Sequence, residues 1–267
     1  MTGPRQQRGV ALLTALLVMA LCVSAAVGMA VRGHTDIRRT AAVFERDSAR
    51  HIALGVEKMA IRLLEQASDA DGLMWQECRS PVLPVQVDGV RVLVSLDNLQ
   101  CRYNLNTLAG ADEDQQAYFA RLVDEVSRSY SVRLPPGSEL ALQVSDWMSA
   151  ETDDPVYRLH EPPRYSGNRP LMLASELIAI ARLEMDAWTA LAPYVTVYPG
   201  AISVIDDQRS PELLQRVFAD YPQPQQKPWF MRLEVVVEFA DRRFFQCSLL
   251  DASNGLVIIR EQTACEP

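Results

Sequence analysis

The chain has 267 residues, 48% of them apolar, and a formal net charge of −8. That is enough for a sizeable core in one large domain or two small ones. The acidic balance argues against a nucleic-acid partner, because a phosphate backbone selects clustered lysine and arginine.

The chain opens with "RQQRGVALLTALLVM", Arg5 to Met19, and Val10 to Val31 contains no charged residue. As a helix this run spans about 33 Å, the thickness of a bilayer core. Ser24-Ala25-Ala26 resembles a signal-peptidase site, but the apolar run continues past it, whereas a secretory signal is shorter. Arg5 and Arg8 precede the run and Arg32, Arg38 and Arg39 follow it. A short basic N-terminus inside and the body outside is the better orientation, because large domains translocate largely regardless of charge.

From Ile37 the spacing becomes that of one helix face: Ile37, Ala41, Phe44, Ser48, Ile52, Gly55, Met59 and Leu63. No proline occurs between Arg5 and Pro81. One rod to about Gln66, roughly 85 Å long, is predicted. The alternative is a membrane helix followed by a separate core helix.

Val82–Val87 and Val90–Leu96 alternate around Asp88-Gly89, a hairpin signal, with Pro84 placing the first strand at an edge. "CRYNLNTL", Cys101 to Leu108, reads as a short strand leading into helices. From about Asp112 to Asp220 the pattern is helical. Tyr118, Leu122, Val126 and Tyr130 form one stripe, and Leu140, Val144, Trp147 and Met148 a second. Ser175 and Asp186 are cap candidates for two further helices, the second carrying Trp188. Ser210-Pro211-Glu212 opens a fifth, with proline at the favoured first position. Asp220 to Trp229 reads as a linker. Strand patterning returns at Met231–Phe239, Phe244–Leu250 and Leu256–Ile259. β-structure on both sides of a helical block indicates a helical domain inserted into an α/β domain whose sheet the C-terminus completes.

Five cysteines are present. Cys22 lies in the apolar run. Cys78 with Cys101, and Cys247 with Cys265, are local pairs that bracket strands, as an exported domain's disulfides would. Four cysteines allow three connectivities, so the pairing is open at this level.

A short basic leader ending in glycine, then an apolar helix running on as an amphipathic one, resembles a type IV pilin-like precursor. The resemblance implies cleavage by a prepilin peptidase on the cytoplasmic side, after Gly9, leaving Val10 as a new and methylated N-terminus on a retained anchor. The family's fifth mature residue is usually glutamate; here it is Thr14. In the family that acid pairs with a neighbouring subunit's N-terminus, and an unpaired carboxylate in lipid is costly. Its loss suits a tip position, with no subunit ahead.

"RGVALLTALLV", "CRYNLNTL", "VSDWMSAETDD", "YRLHEPPRYSGNRPLMLASELIAI" and "WTALAPYVTVYPG" narrow the resemblance to the large K-type minor pseudopilins of type II secretion. Val204 to Arg209 departs from that family's pattern. The expected fold is α+β: a pilin-like long N-terminal helix packed on a small antiparallel sheet, with a large inserted all-helical domain. The expected division is leader 1–9, transmembrane and amphipathic helix 10–66, first part of the α/β domain 67–108, inserted helical domain 109–220 and C-terminal strands 221–267. The resemblance implies an inner-membrane, single-pass protein with a periplasmic head. Its implied partners are other minor pseudopilins, the prepilin peptidase and inner-membrane lipid. Thr14, Ile37, Phe44, Ile52 and Met59 would serve assembly.

Catalytic motifs are missing. His34 and His51 lie on the rod and His160 stands alone. No HExxH, GxSxG or glycine-rich phosphate loop occurs, so no enzymatic role is expected. Asp146, Glu151, Asp153 and Asp154 form one dense acidic cluster whose hard oxygens suit calcium, an ion reported within the family. No EF-hand loop fits, and a solvated helix end explains the same residues. Asn168-Arg169-Pro170-Leu171 reads as a structural tie between loop and helix. The rival readings are a membrane-anchored periplasmic hydrolase or binding module, using His160 and those acids, and a minor pilin of a type IV pilus.

Overall fold

The computed structural model describes residues 7–68, 78–110, 112–150, 163, 165–201, 203, 205, 210–222, 229–239 and 242–266. The chain divides into two units, Met1–His51 and Ile52–Pro267. In the first, every described residue belongs to helix α1 (Gln7–Ser68). Alanine, leucine and arginine, all good helix formers, recur along it and no proline interrupts it, so the backbone ladder continues without a break. Ser24 donates its hydroxyl to the Ala20 carbonyl at 2.8 Å. A polar side chain inside the apolar run is thereby satisfied by its own helix, as lipid requires.

The second unit contains the last turns of α1, a sheet and a helical lobe. The sheet has five antiparallel strands in the order β1 (Leu83–Val87), β2 (Val90–Asn98), β5 (Phe230–Phe239), β6 (Arg242–Asp251), β7 (Leu256–Glu261). Asp88 and Gly89 both take positive φ, 50° and 79°, the two-residue hairpin turn that Asp-Gly favours. Pro84 sits on the edge strand, where its missing N–H costs no ladder bond. The chain leaves the sheet after Asn98 and returns at Phe230 beside the strand it left, with Asn98 opposite Met231. Everything between is the inserted lobe.

The lobe is built from α2 (Glu113–Tyr130), α3 (Gly137–Met148), α4 (Glu176–Ala181), α5 (Met185–Leu191) and α6 (Glu212–Val217). It is not purely helical. β3 (Tyr103–Asn104) and β4 (Val195–Thr196) form a short parallel pair at its base. Its core joins Tyr118, Leu122 and Val126 of α2 and Leu140, Val144 and Met148 of α3 to Tyr103, Leu177, Trp188 and Leu214, with Trp147 partly buried against it. Tyr130, expected in the α2 stripe, is 50% exposed. The core reaches back to Tyr103, ahead of the position 109 expected for the insertion.

Three local expectations are corrected. Ser175 occupies the cap position of α4 without capping it; its hydroxyl binds Glu266. The first α4 amides bond the Leu173, Ala174 and Ser175 carbonyls, and Glu176 Oε1 accepts from the Met172 and Leu173 amides of the preceding turn at 2.7 and 3.1 Å. Asp186 lies inside the first turn of α5, which begins two residues earlier than an Asp186 cap would set it, with Glu184 at the cap position. Tyr221, assigned to a linker, is a core residue: its ring meets Tyr118 and Phe218, and its hydroxyl donates to Gln115 Oε1 at 2.9 Å. Tyrosine within a proline- and glutamine-rich stretch was the signal for an anchored segment.

Candidate assembly surface

Within Ile52–Ser68 the buried face of α1 is Ala53, Glu57, Ala60 and Leu64. These positions recur at steps of four, three and four, a single helical stripe. The two alanines allow close approach to the sheet, and Leu64 fills the space beyond them. Glu57 is only 2% exposed. Its Oε2 accepts from Ser248 Oγ at 2.6 Å, Gln246 Nε2 at 3.1 Å and Arg260 Nε at 2.9 Å, and its Oε1 binds Arg260 Nη2. The hydrogen bond to Glu57 raises the Arg260 pKa above the ordinary arginine value. Gln246 and Ser248 stand on one face of β6 and Arg260 lies opposite Ser248 on β7. One carboxylate therefore ties the helix to two adjacent strands. Sequence reasoning missed it, because attention went to the apolar stripe. The signal was a glutamate framed by alanines at helical spacing.

The expected assembly stripe lies on another side. Met59 is 64% exposed and Leu63 44%, while Ile52 is half-buried. In the first unit Ile37 and Phe44 are 69% and 73% exposed, and Thr14 is exposed. Val10 and Gly9 fall within the helical span of α1. Among the described residues, α1 is the one helix long and apolar enough to cross a membrane.

The lobe's motif residues read main chain. Asn106 pairs with Leu171 as a strand would: Oδ1 accepts from the Leu171 amide at 2.8 Å, and Nδ2 donates to the Leu171 carbonyl at 3.1 Å. The same Nδ2 donates to the Tyr198 carbonyl at 3.1 Å. Asn104 Nδ2 donates to the Gly200 carbonyl at 3.0 Å, and its Oδ1 accepts from the Tyr198 amide at 3.3 Å. The elements around Tyr103–Leu108, Asn168–Leu171 and Val195–Gly200 thus form one network. Arg169 reaches Glu176 at 3.2 Å, tying loop to helix through its guanidinium. The Asn168 side chain is used locally, accepting from Ser166 Oγ at 2.5 Å, and its main-chain amide donates to the Trp147 carbonyl. Between sheet and lobe, Asp97 Oδ2 accepts from Arg232 Nη2 at 2.6 Å and Arg102 Nη2 at 2.9 Å. Burial is the main cause that lowers the Arg102 pKa.

Cys78 is bonded to Cys101 and Cys247 to Cys265. Cys22 is a free, exposed thiol on α1. Glu151, Asp153, Asp154 and His160 lie outside the described residues; of the proposed calcium ligands only Asp146, on α3, lies within them. Among the described residues no group of three or more His, Cys, Asp or Glu side chains could hold a metal ion. His51 approaches Asp47 at 3.6 Å as an exposed pair along α1.

Residues 101–200 match the family model described as type II secretion system (T2SS), protein K. The chain is 27% identical over 203 residues to a type II secretion system protein K of Klebsiella pneumoniae, covering 71% of this chain and 62% of that protein. It is 26% identical over 209 residues to one of Pectobacterium carotovorum subsp. carotovorum, covering 73% and 64%. The chain thus spans less than two thirds of the length of these curated relatives. In three dimensions it resembles a chain from the solved GspK-GspI-GspJ complex of the enterotoxigenic Escherichia coli type 2 secretion system. The TM-score is 0.65 at 15% identity, covering 85% of this chain and 100% of that one.

Proposed function

We infer that this chain, similar in sequence and fold to the K proteins of type II secretion systems, is a minor pseudopilin acting by assembly. The observation that carries this is the position of the protein K match: it falls between β2 and β5, as an insertion in a frame led by the 62-residue α1. A type IV pilus minor pilin would share the leader without that lobe.

In this reading the apolar half of α1 sits in the inner membrane and the second unit in the periplasm. A prepilin peptidase removes residues 1–9, and the chain acts without catalysis. The partners supported by the likeness to the solved complex are minor pseudopilins of the I and J types. The exposed stripe of Ile37, Phe44, Met59 and Leu63 supplies the contact. Apolar area buried there contributes about 25 cal/mol per Å² before association costs. Thr14 in place of a carboxylate fits a subunit at the tip. The test is the mature N-terminus by mass spectrometry: a chain beginning at methylated Val10 is expected, and Gly9→Ala should leave the longer precursor. A chain starting near residue 27 would show a secretory signal instead.

A further inference from the structure

Beyond β7 the chain turns back across the sheet. Cys247 alternates with Gln246 and Ser248, which face α1, so it projects from the opposite face. Cys265 is bonded to it there, and the Cys265 amide donates to Glu234 Oε1 at 3.0 Å. The tail is thereby held at two adjacent positions, because Glu234 is the register partner of Cys247. One residue further, Glu266 reaches the helical lobe. Its Oε2 accepts from the Ala174 amide at 3.1 Å, and its Oε1 binds the Ser175 hydroxyl. This contact explains why Ser175 does not cap α4. A cavity of about 70 Å³ lies between lobe and sheet, lined by Leu173, Val197, Leu249 and Ile259, with Glu266 in its wall.

We propose that residues 262–266 are a strap that fastens the start of α4 to the sheet, and that the Cys247–Cys265 bond holds the strap in place. The disulfide fixes one end to β6 and the Glu266 carboxylate grips the other at Ala174 and Ser175. The two contacts are on adjacent residues, so slack at Cys265 displaces Glu266 directly. The Glu176 hydrogen bonds to the preceding turn then remain, and the docking of α4 on the sheet is what loosens. The strap thus makes the position of this part of the lobe depend on the oxidised state of a cysteine pair that lies 72 and 90 positions beyond Ser175 in sequence.

The test is hydrogen–deuterium exchange of the full chain in detergent micelles, comparing wild type with Glu266→Ala and with the double variant Cys247→Ser/Cys265→Ser. A charge-assisted hydrogen bond to a local opening unit predicts about tenfold faster exchange for amides 173–178 in both. Amides 119–126 of α2 should be unchanged. Wild-type protection at 173–178 in Glu266→Ala would overturn the strap. Protection retained in the cysteine variant would overturn the role of the disulfide. Equal acceleration across α2 would show general destabilisation and overturn both. If the cysteine variant does not fold, Cys247→Ala/Cys265→Ala replaces it, with the same expectation at 173–178.

Discussion

Replacing Glu57 by alanine tests how the rod is joined to the head. Its partners are not equally exposed, and this decides the magnitude. The Arg260 side chain is 41% exposed. Released by Glu57→Ala, it turns to water, so its own loss there is at most about 1 kcal/mol. Gln246 and Ser248 are 3% and 0% exposed and have no such escape. They keep each other, with Gln246 Nε2 3.2 Å from Ser248 Oγ, so the truncation orphans about one buried group, costing roughly 1–3 kcal/mol. With the space left by the missing side chain, Glu57→Ala should lose about 3 kcal/mol, a fall of about 6–12 °C in melting temperature for a unit of this size. Arg260→Ala leaves the Glu57 carboxylate, 2% exposed, without its cation and should lose at least as much. The assay is circular dichroism melting of the full chain in detergent. A shift below about 2 °C for either variant would refute the reasoning.

Gly137 opens α3 where it crosses α2, and a Cβ there would lie 2.1 Å from the Ala120 carbonyl oxygen. The obstacle is backbone, which cannot rotate away, so Gly137→Ala should cost at least about 2 kcal/mol in a denaturant titration. Asn106→Asp keeps the shape but turns the donor facing the Leu171 and Tyr198 carbonyls into an acceptor; it should destabilise more than Asn106→Ala in the same titration. Burial raises the pKa of Tyr103, Tyr194 and Tyr221 in the folded chain. Above the unfolded value of about 10 the unfolded state releases protons that the native state retains, so stability is lost as pH rises from there. Melting temperature measured between pH 9 and pH 11.5 should fall, and Tyr103→Phe should flatten the fall.

The long helix, the Asp-Gly hairpin and the return to strands at residue 230 were legible because each rests on local periodicity or turn chemistry. The closing of the sheet by the C-terminus followed from β-patterning on both sides of a helical block. β4 was not legible: two residues, Val195 and Thr196, carry no period, and they pair because Tyr103 and Asn104 present an edge to them. Ser175 and Asp186 show the limit of cap reasoning. Asp186 lies inside its helix, and Ser175 sits at the cap position of α4 but gives its hydroxyl to a glutamate of the C-terminal tail. Such partners lie 91 residues away for Ser175 and Glu266, and no local window contains them. The asparagines of Tyr103–Leu108 stood out as a motif, but their role depends on where Leu171 and Tyr198 come to rest.

The two sides of α1 belong to one physical problem. Ala53, Ala60 and Leu64 give the helix an apolar seat on the sheet, but burial is non-directional and tolerates rotation of a helix about its axis. Two alanines and one leucine would fit nearly as well after a roll of a few tens of degrees. Glu57 does not tolerate the roll, because its hydrogen bonds to β6 and its fork to Arg260 on β7 require angles as well as distances. A rolled helix would leave a buried carboxylate short of partners, which costs far more than the area it saves. The polar contact therefore sets the rotation and the apolar contacts supply the adhesion. Successive residues advance by about 100° around a helix, so fixing Glu57 toward the sheet also fixes Met59 about 200° away, facing outward. Within Ile52–Ser68 one buried glutamate therefore decides which side of the helix seats on the sheet and which side Met59 presents outward.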